Sequence, residues 1–187
     1  MEEKIVYFEK PGKENTGEVI KLVLERAKLR NINRIVLASS RGYTAKSFLD
    51  AVEGKDINLV VVPWQFNLKK EVEGSPFPQE LVEELLEKKH IVQFGTMPLS
   101  SNSSNDLYGT NIRKALGNIL RVLGQGMKVC VEITMMACDG GCIKMGEKVI
   151  VVAGTDAGAD FAVVATAASS TNVTSLRINE IICKPIL

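Results

Sequence analysis

Lys148-Val-Ile-Val-Val-Ala-Gly-Thr-Asp-Ala-Gly-Ala-Asp160 and its earlier counterpart, Arg34-Ile-Val-Leu-Ala-Ser-Ser-Arg-Gly-Tyr-Thr-Ala45, each run from aliphatic residues straight into Ser, Gly and Thr. That transition is how a buried parallel strand hands over to a ligand-binding loop. Small side chains let a ligand approach backbone N–H groups, and hydroxyls add further donors. Both loops therefore point to a site for an anionic small molecule.

Outward from these stretches, strands and helices alternate. Ile5–Phe8 reads as a short strand ending at Pro11-Gly12. Asn15 and Glu18 have the spacing of a capping box before the apolar positions Val19, Ile20, Val23, Leu24 and Ala27. Ile35–Ala38 and Leu59–Val62 are strands, separated by a helix over Thr44–Val52. The second is continuous in apolar residues and is expected to be buried on both faces. After a polar connection, Asn67–Ser75, Pro76 and Pro78 precede a helix carrying Leu81, Val82, Leu85 and Leu86. Ile91–Phe94 is strand-like. Met97–Gly109 is a long Ser/Asn-rich loop, of the kind used as a lid or binding loop or carried as a passive insertion. Thr110 is placed to cap a helix bearing Ile112, Leu116, Ile119, Leu120 and Leu123.

Gln125–Cys142 carries both signals. Val129–Ile133 looks like a strand, while Met127, Val131, Met135 and Cys138 keep helical spacing; the expectation is a buried helix stopped by Gly140-Gly141. Val149–Ala153, Phe161–Ala165 and Ile178–Cys183 are strands with no helix between them, so antiparallel pairing is expected at that end of the sheet. The alternation through most of the chain specifies an α/β fold, a three-layer α/β/α sandwich, in a single domain over residues 1–187.

Composition narrows function mainly by exclusion. The 187 residues are 45% hydrophobic and 24% charged with net charge +1, so no global field favours nucleic acid or an anionic membrane. No basic cluster interleaved with aromatics occurs, which argues against a nucleic-acid partner. No apolar run reaches the ~18–20 residues of a membrane span, and the start Met1–Phe8 lacks a signal-peptide pattern, so a cytoplasmic location is expected. Cys130, Cys138, Cys142 and Cys183 form no C-x-x-C, and the single histidine, His90, is remote in sequence. A metal site is not expected; Cys138 and Cys142, four apart on a helix, read as reduced core thiols ahead of a metal or redox pair.

Ala38-Ser-Ser-Arg-Gly-Tyr-Thr-Ala45 resembles the phosphate-cradling loop of the pyruvate kinase C-terminal α/β domain, where an allosteric sugar bisphosphate binds. Ala153-Gly-Thr-Asp-Ala-Gly-Ala-Asp160 resembles that domain's late Gly-rich loop. Nearly the whole chain is similar to small stand-alone proteins of this fold, known mostly from archaea. Phe8–Thr16, Lys128–Ala137, Gly158–Asp160 and Glu180–Pro185 carry that likeness. The resemblance implies a mostly parallel five-stranded sheet of order 3-2-1-4-5 with strand 5 antiparallel. Strand 1 would be Arg34–Ser39 and strand 4 Lys148–Ala153, so both opening loops would meet at the switch point where open α/β sheets bind ligands. The sequence has no counterpart to the catalytic barrel of pyruvate kinase, so no kinase chemistry is implied. It also departs at Thr166-Ala167-Ala168, where a basic residue and a proline are expected, and at Met97–Ser104, which replaces a shorter connection.

Within this frame Ser39, Ser40, Gly42 and Thr44 are the phosphate-binding candidates, with Tyr43 in the same turn and Thr44 at a helix start. Arg41 is a candidate counter-charge. Gly154, Thr155, Asp156 and Gly158 form the other wall. Asp156 suits a ribose or ribityl hydroxyl better than a phosphate, because like charges repel. Trp64 and Phe66 follow the Leu59–Val62 strand and offer a surface for stacking a planar ring. Gly95 and Thr96, and at the N-terminus Asn15 and Thr16, are weaker candidates, and His90 reads as a surface residue. A phosphate cradle beside a Trp suggests a mononucleotide, and FMN joins a phosphate, a polyol and a flat ring. No catalytic constellation is evident. The primary expectation is a domain binding a phosphorylated small molecule. A flavin-dependent enzyme and a regulatory subunit docking on a larger enzyme are the alternatives, and self-association is left open.

Overall fold

A computed structural model describes residues 2–67, 75–100 and 112–186. Most of the Asn67–Ser75 connection, the Ser/Asn-rich stretch from 101 onward and the Thr110 cap lie outside the described residues. The elements are β1 (Val6–Phe8), α1 (Thr16–Arg30), β2 (Arg34–Ala38), α2 (Tyr43–Val52), β3 (Asn58–Val62), α3 (Gln79–Glu87) and β4 (Ile91–Val92). Then come α4 (Ile112–Leu120), α5 (Gln125–Asp139), β5 (Lys148–Ala153), β6 (Phe161–Thr166) and β7 (Arg177–Pro185).

One seven-stranded sheet runs β1-β7-β6-β5-β2-β3-β4. Its middle, β4-β3-β2-β5-β6, has the expected 3-2-1-4-5 order, with β2 parallel to both β3 and β5 and β6 antiparallel to β5. Five strands are nevertheless too few. A short connection returns the chain as β7, antiparallel to β6, and β1 then pairs parallel with β7. This covers what would otherwise be a fully apolar edge, since Phe161 to Ala165 are all buried.

Alternation across the strands explains why they are apolar throughout. Ile35, Leu37, Leu59, Val61, Ile150 and Val152 face α1, α2 and α3, packing with Val19, Val23, Phe48 and Leu85. Val36, Val60, Val149, Val151 and Val163 face the other way, onto Met127, Cys130, Val131 and Met135 of α5. Helical layers cover both faces, so each strand needs apolar residues on both sides. Among the described residues, no helix is long and apolar enough to cross a membrane.

The ambiguous segment is helical, and its ends show why. Gly126 lies against Phe161, and a Cβ there would overlap that side chain, so glycine lets α5 settle onto β6. At the far end the Cys142 N–H donates to the Ala137 carbonyl and the Gly141 N–H to that of Cys138, with Gly141 at φ 71°. This is a Schellman stop.

Three local expectations need correction. Asn15 makes no capping bond, because a 3-10 turn over Lys13–Asn15 already gives it helical φ and ψ, and its side chain donates to the Lys10 carbonyl instead. β4 ends at Val92 rather than Phe94, whose ring turns to meet Phe66 and Phe77. Between β6 and β7 a 3-10 turn spans Ser170–Ser175.

All four cysteines are free. Burial pushes the Cys183 thiol up to about 12 and that of Cys130 well above its ordinary value, so both are inert. Half-buried Cys142 donates to Gln93 Oε1, and burial raises the thiols of Cys142 and Cys138 as well. His90 is half-buried rather than superficial: its Nδ1 accepts the Leu59 N–H, and burial lowers its pKa.

Candidate functional site

β2 feeds β3 and β4 on one side while β5 feeds β6 and β7 on the other, so a crevice opens at the carboxyl ends of β2 and β5. A cavity of about 400 Å³ lies there, within the range of small-molecule sites.

The first wall is built where β2 stops. The Ser39 N–H still bonds the Val62 carbonyl, and the chain then bends so that Ser39 Oγ accepts the Ala45 N–H, 3.2 Å away. Gly42, at φ 91°, begins α2; a Cβ there would come within 3.0 Å of Leu81 and 3.1 Å of Pro78. Only glycine suits both the dihedral and the space. Ser39 thus caps one amide of α2, while the N–H groups of Ser40 through Thr44 have no protein acceptor among the described residues. Uncapped amides at a helix start favour an anion.

The second wall is Gly154–Asp160. A Cβ on Gly154 would lie 2.5 Å from the Gly158 carbonyl, and one on Gly158 (φ 77°) 2.6 Å from both Lys13 Cα and Thr16 Oγ1. The loop therefore folds tightly on itself and against residues 12–16. Fully buried Asp160 fastens the junction by accepting the Gly12 and Thr155 N–H groups at 2.9 and 3.2 Å. Burial raises its pKa, with the Thr155 and Gly12 bonds pulling the other way. Thr16 Oγ1 accepts the Ala159 N–H, and Lys13 sits 4.0 Å over the Tyr43 ring, tying the N-terminal segment to both loops.

Of the sequence-predicted residues, Ser39, Ser40, Arg41, Tyr43, Thr44, Trp64, Gly154, Asp156 and Gly158 line the cavity. Gly42 shapes the turn from behind. The N–H of Thr155 is committed to Asp160. Phe66 packs tilted against Phe94, ring centroids 4.6 Å apart, and does not line the cavity, and neither do Gly95 and Thr96 beyond the short edge strand. Asn15 and Thr16 belong to the scaffold. Among the described residues, no group of His, Cys, Asp or Glu is placed to hold a metal ion.

The third wall was missed from sequence. α5 presents Gln125, Lys128 and Glu132 to the cavity, joined by Ser100 and Met97. Lys128 and Glu132 form a buried ion pair with side chains 2% and 1% exposed. Glu132 also accepts the Leu99 N–H at 2.7 Å and the Ser100 hydroxyl at 2.9 Å, and Lys128 Nζ donates to Ser100 Oγ. The available signal was two opposite charges four residues apart inside an otherwise apolar helix.

Fold and site together define an open α/β protein with a crevice of about 400 Å³ at the switch point of its sheet. No protein-family model matches the chain. Among solved structures it is similar to an SAH-bound methyltransferase, PaMTH1, from Podospora anserina. The match has 14% identity and a TM-score of 0.29, spans 71% of this chain and 51% of that one, and carries no argument about function.

Proposed function

We propose that this chain is a stand-alone domain that binds a phosphorylated small molecule, a mononucleotide or FMN, across the carboxyl ends of β2, β3 and β5. The observation that carries the reading is the run of amides from Ser40 to Thr44, at the start of α2, that have no acceptor among the described residues, on the wall of a cavity of about 400 Å³. Phosphate is the common group that uses several converging N–H donors, and Arg41 on the same wall adds charge. The other walls suit the rest of such a ligand. Asp156 offers acceptors to a polyol or ribose, and half-buried Trp64 offers an aromatic surface to a planar ring. FMN has all three parts, and the donor set fits it. When bound, a flavin would supply redox chemistry, while the chain's own residues hold and orient it. A flavin-dependent enzyme is thus the second reading of the same crevice.

The test is an absorbance spectrum of freshly purified protein, with mass spectrometry of whatever denaturation releases. Flavin bands and an FMN mass are the expected result for tight binding. If the protein is colourless, FMN and riboflavin are compared at equal concentration by thermal shift. FMN is expected to stabilise strongly and riboflavin weakly; equal shifts would refute the phosphate cradle.

A further inference from the structure

The cavity crosses the sheet edge from one helical layer to the other. One end is the amide turn at the start of α2; the other is the buried Lys128–Glu132–Ser100 cluster on α5. A buried ion pair is a poor way to stabilise a core, because apolar residues of similar volume do at least as well. α5 is otherwise apolar where it meets the sheet, with Cys130, Val131, Ile133 and Met135 all buried. The cluster therefore calls for a reason beyond packing.

Its hydrogen bonds supply one. An ammonium has three N–H donors, and Lys128 uses two, to Glu132 Oε2 and Ser100 Oγ. The Glu132 carboxylate is itself pinned by Leu99 and Ser100, so it cannot swing away. The result is a fixed, desolvated cation on the cavity wall with one donor unspent among the described residues. A preorganised donor in a water-poor site binds more strongly than a mobile one at the surface. Neighbouring Gln125 uses its Oε1 to accept from Arg121 Nε at 2.7 Å, which orients its amide N–H₂ as a further donor at this end.

We infer that Lys128, held by Glu132 and Ser100, recognises an sp² oxygen at the end of the ligand remote from the phosphate. The ligand is then two-ended: phosphate on the Ser40–Thr44 amides, and a ring carbonyl or a carboxylate on Lys128. This rests on the phosphate reading of the same cavity and narrows it. Phosphorylated sugars with only hydroxyls at the far end are disfavoured, because a hydroxyl is a weaker acceptor for that cationic donor than a carbonyl or carboxylate oxygen.

The experiment is calorimetric titration with five probes: FMN, riboflavin, 6-phosphogluconate, gluconate and glycerol phosphate. Wild-type protein is compared with K128M/E132L and K128Q/E132Q, two double variants that remove both charges together and leave no lone buried ion. Folding of each is checked by circular dichroism. The tighter of FMN and 6-phosphogluconate identifies the oxygen as carbonyl or carboxylate. That probe is expected to weaken roughly 10- to 150-fold in both variants, the range for a hydrogen bond to a charged group. Glycerol phosphate, lacking the sp² oxygen, is expected to be unchanged. Equal affinities of wild type and variants for the two-ended probe would overturn the role of Lys128 while leaving the phosphate cradle intact. Riboflavin or gluconate binding as tightly as its phosphorylated form, and weakening in the variants, would sink the cradle and uphold Lys128. Binding of no probe to wild type would overturn both.

Discussion

Replacing Glu132 alone with Leu strands the Lys128 ammonium in the interior with Ser100 as its remaining hydrogen-bond partner among the described residues. The lysine is 2% exposed, so water cannot take the place of the lost carboxylate without opening the packing around α5. Breaking a buried pair in this way costs about 3–5 kcal/mol. For a domain of this size each kcal/mol lowers Tm by roughly 2–4 °C, so E132L is expected to melt about 6–20 °C below wild type. K128M is expected to behave similarly, because it leaves the carboxylate buried. The double variant K128M/E132L removes both charges and keeps similar volumes. Its remaining defects are the Leu99 N–H without its acceptor and the Ser100 hydroxyl without either partner, a combined cost of about 1–2 kcal/mol at half-buried positions. It is therefore expected within about 1–2 kcal/mol of wild type, giving a large favourable coupling in the double-mutant cycle. Guanidinium unfolding at several fixed pH values would measure all four proteins. Single variants within about 1 kcal/mol of wild type, or a double variant worse than both singles, would show that the pair is solvated and that the burial argument fails.

Other outcomes follow from the packing and the charges. Gly126→Ala should destabilise despite gaining about 1 kcal/mol of helix propensity, because the new methyl overlaps Phe161 and the overpacking costs more; equal or higher stability on chemical denaturation would refute the close approach of α5 to β6. Gly158→Ala strains a φ of 77° against Lys13 and Thr16, so amide exchange at Gly12 and Ala159 should quicken by more than the global loss of stability explains. Acid stability should depend on Glu180. Burial alone would raise its pKa, but the hydrogen bonds and charges of Arg30 and Arg26 outweigh that and hold it below the usual value. A lowered folded pKa means the contribution is complete above the unfolded value of roughly 4.3 and disappears as pH falls through the folded one. E180Q should therefore lose stability at neutral pH and show a flatter decline below pH ~4, read from Tm against pH.

The parts of this molecule legible in the sequence were those set by local pattern. Continuous aliphatic runs such as Leu59–Val62 announced strands buried on both faces, because a strand sandwiched between helices has no polar side. Helical spacing in Gln125–Cys138, closed by two glycines, identified α5 despite its β-branched content. The two Gly/Ser/Thr loops pointed to the crevice they line, because small residues after a strand leave space beside its end. Only the tertiary structure decided the rest. That all seven strands join one sheet depended on β1 finding β7 across the length of the chain, a pairing that no local pattern encodes. The roles of Asn15 and Asp160 turned on the folded backbone: a 3-10 turn displaced the expected cap and left Asn15 on the Lys10 carbonyl, and Asp160 became the clasp for distant Gly12. In sequence, Lys128 and Glu132 are two charges within a largely apolar helix. They became the third wall of the cavity once α5 was laid across the strand ends, because what a buried charge can do is fixed by its neighbours in space rather than its neighbours in sequence.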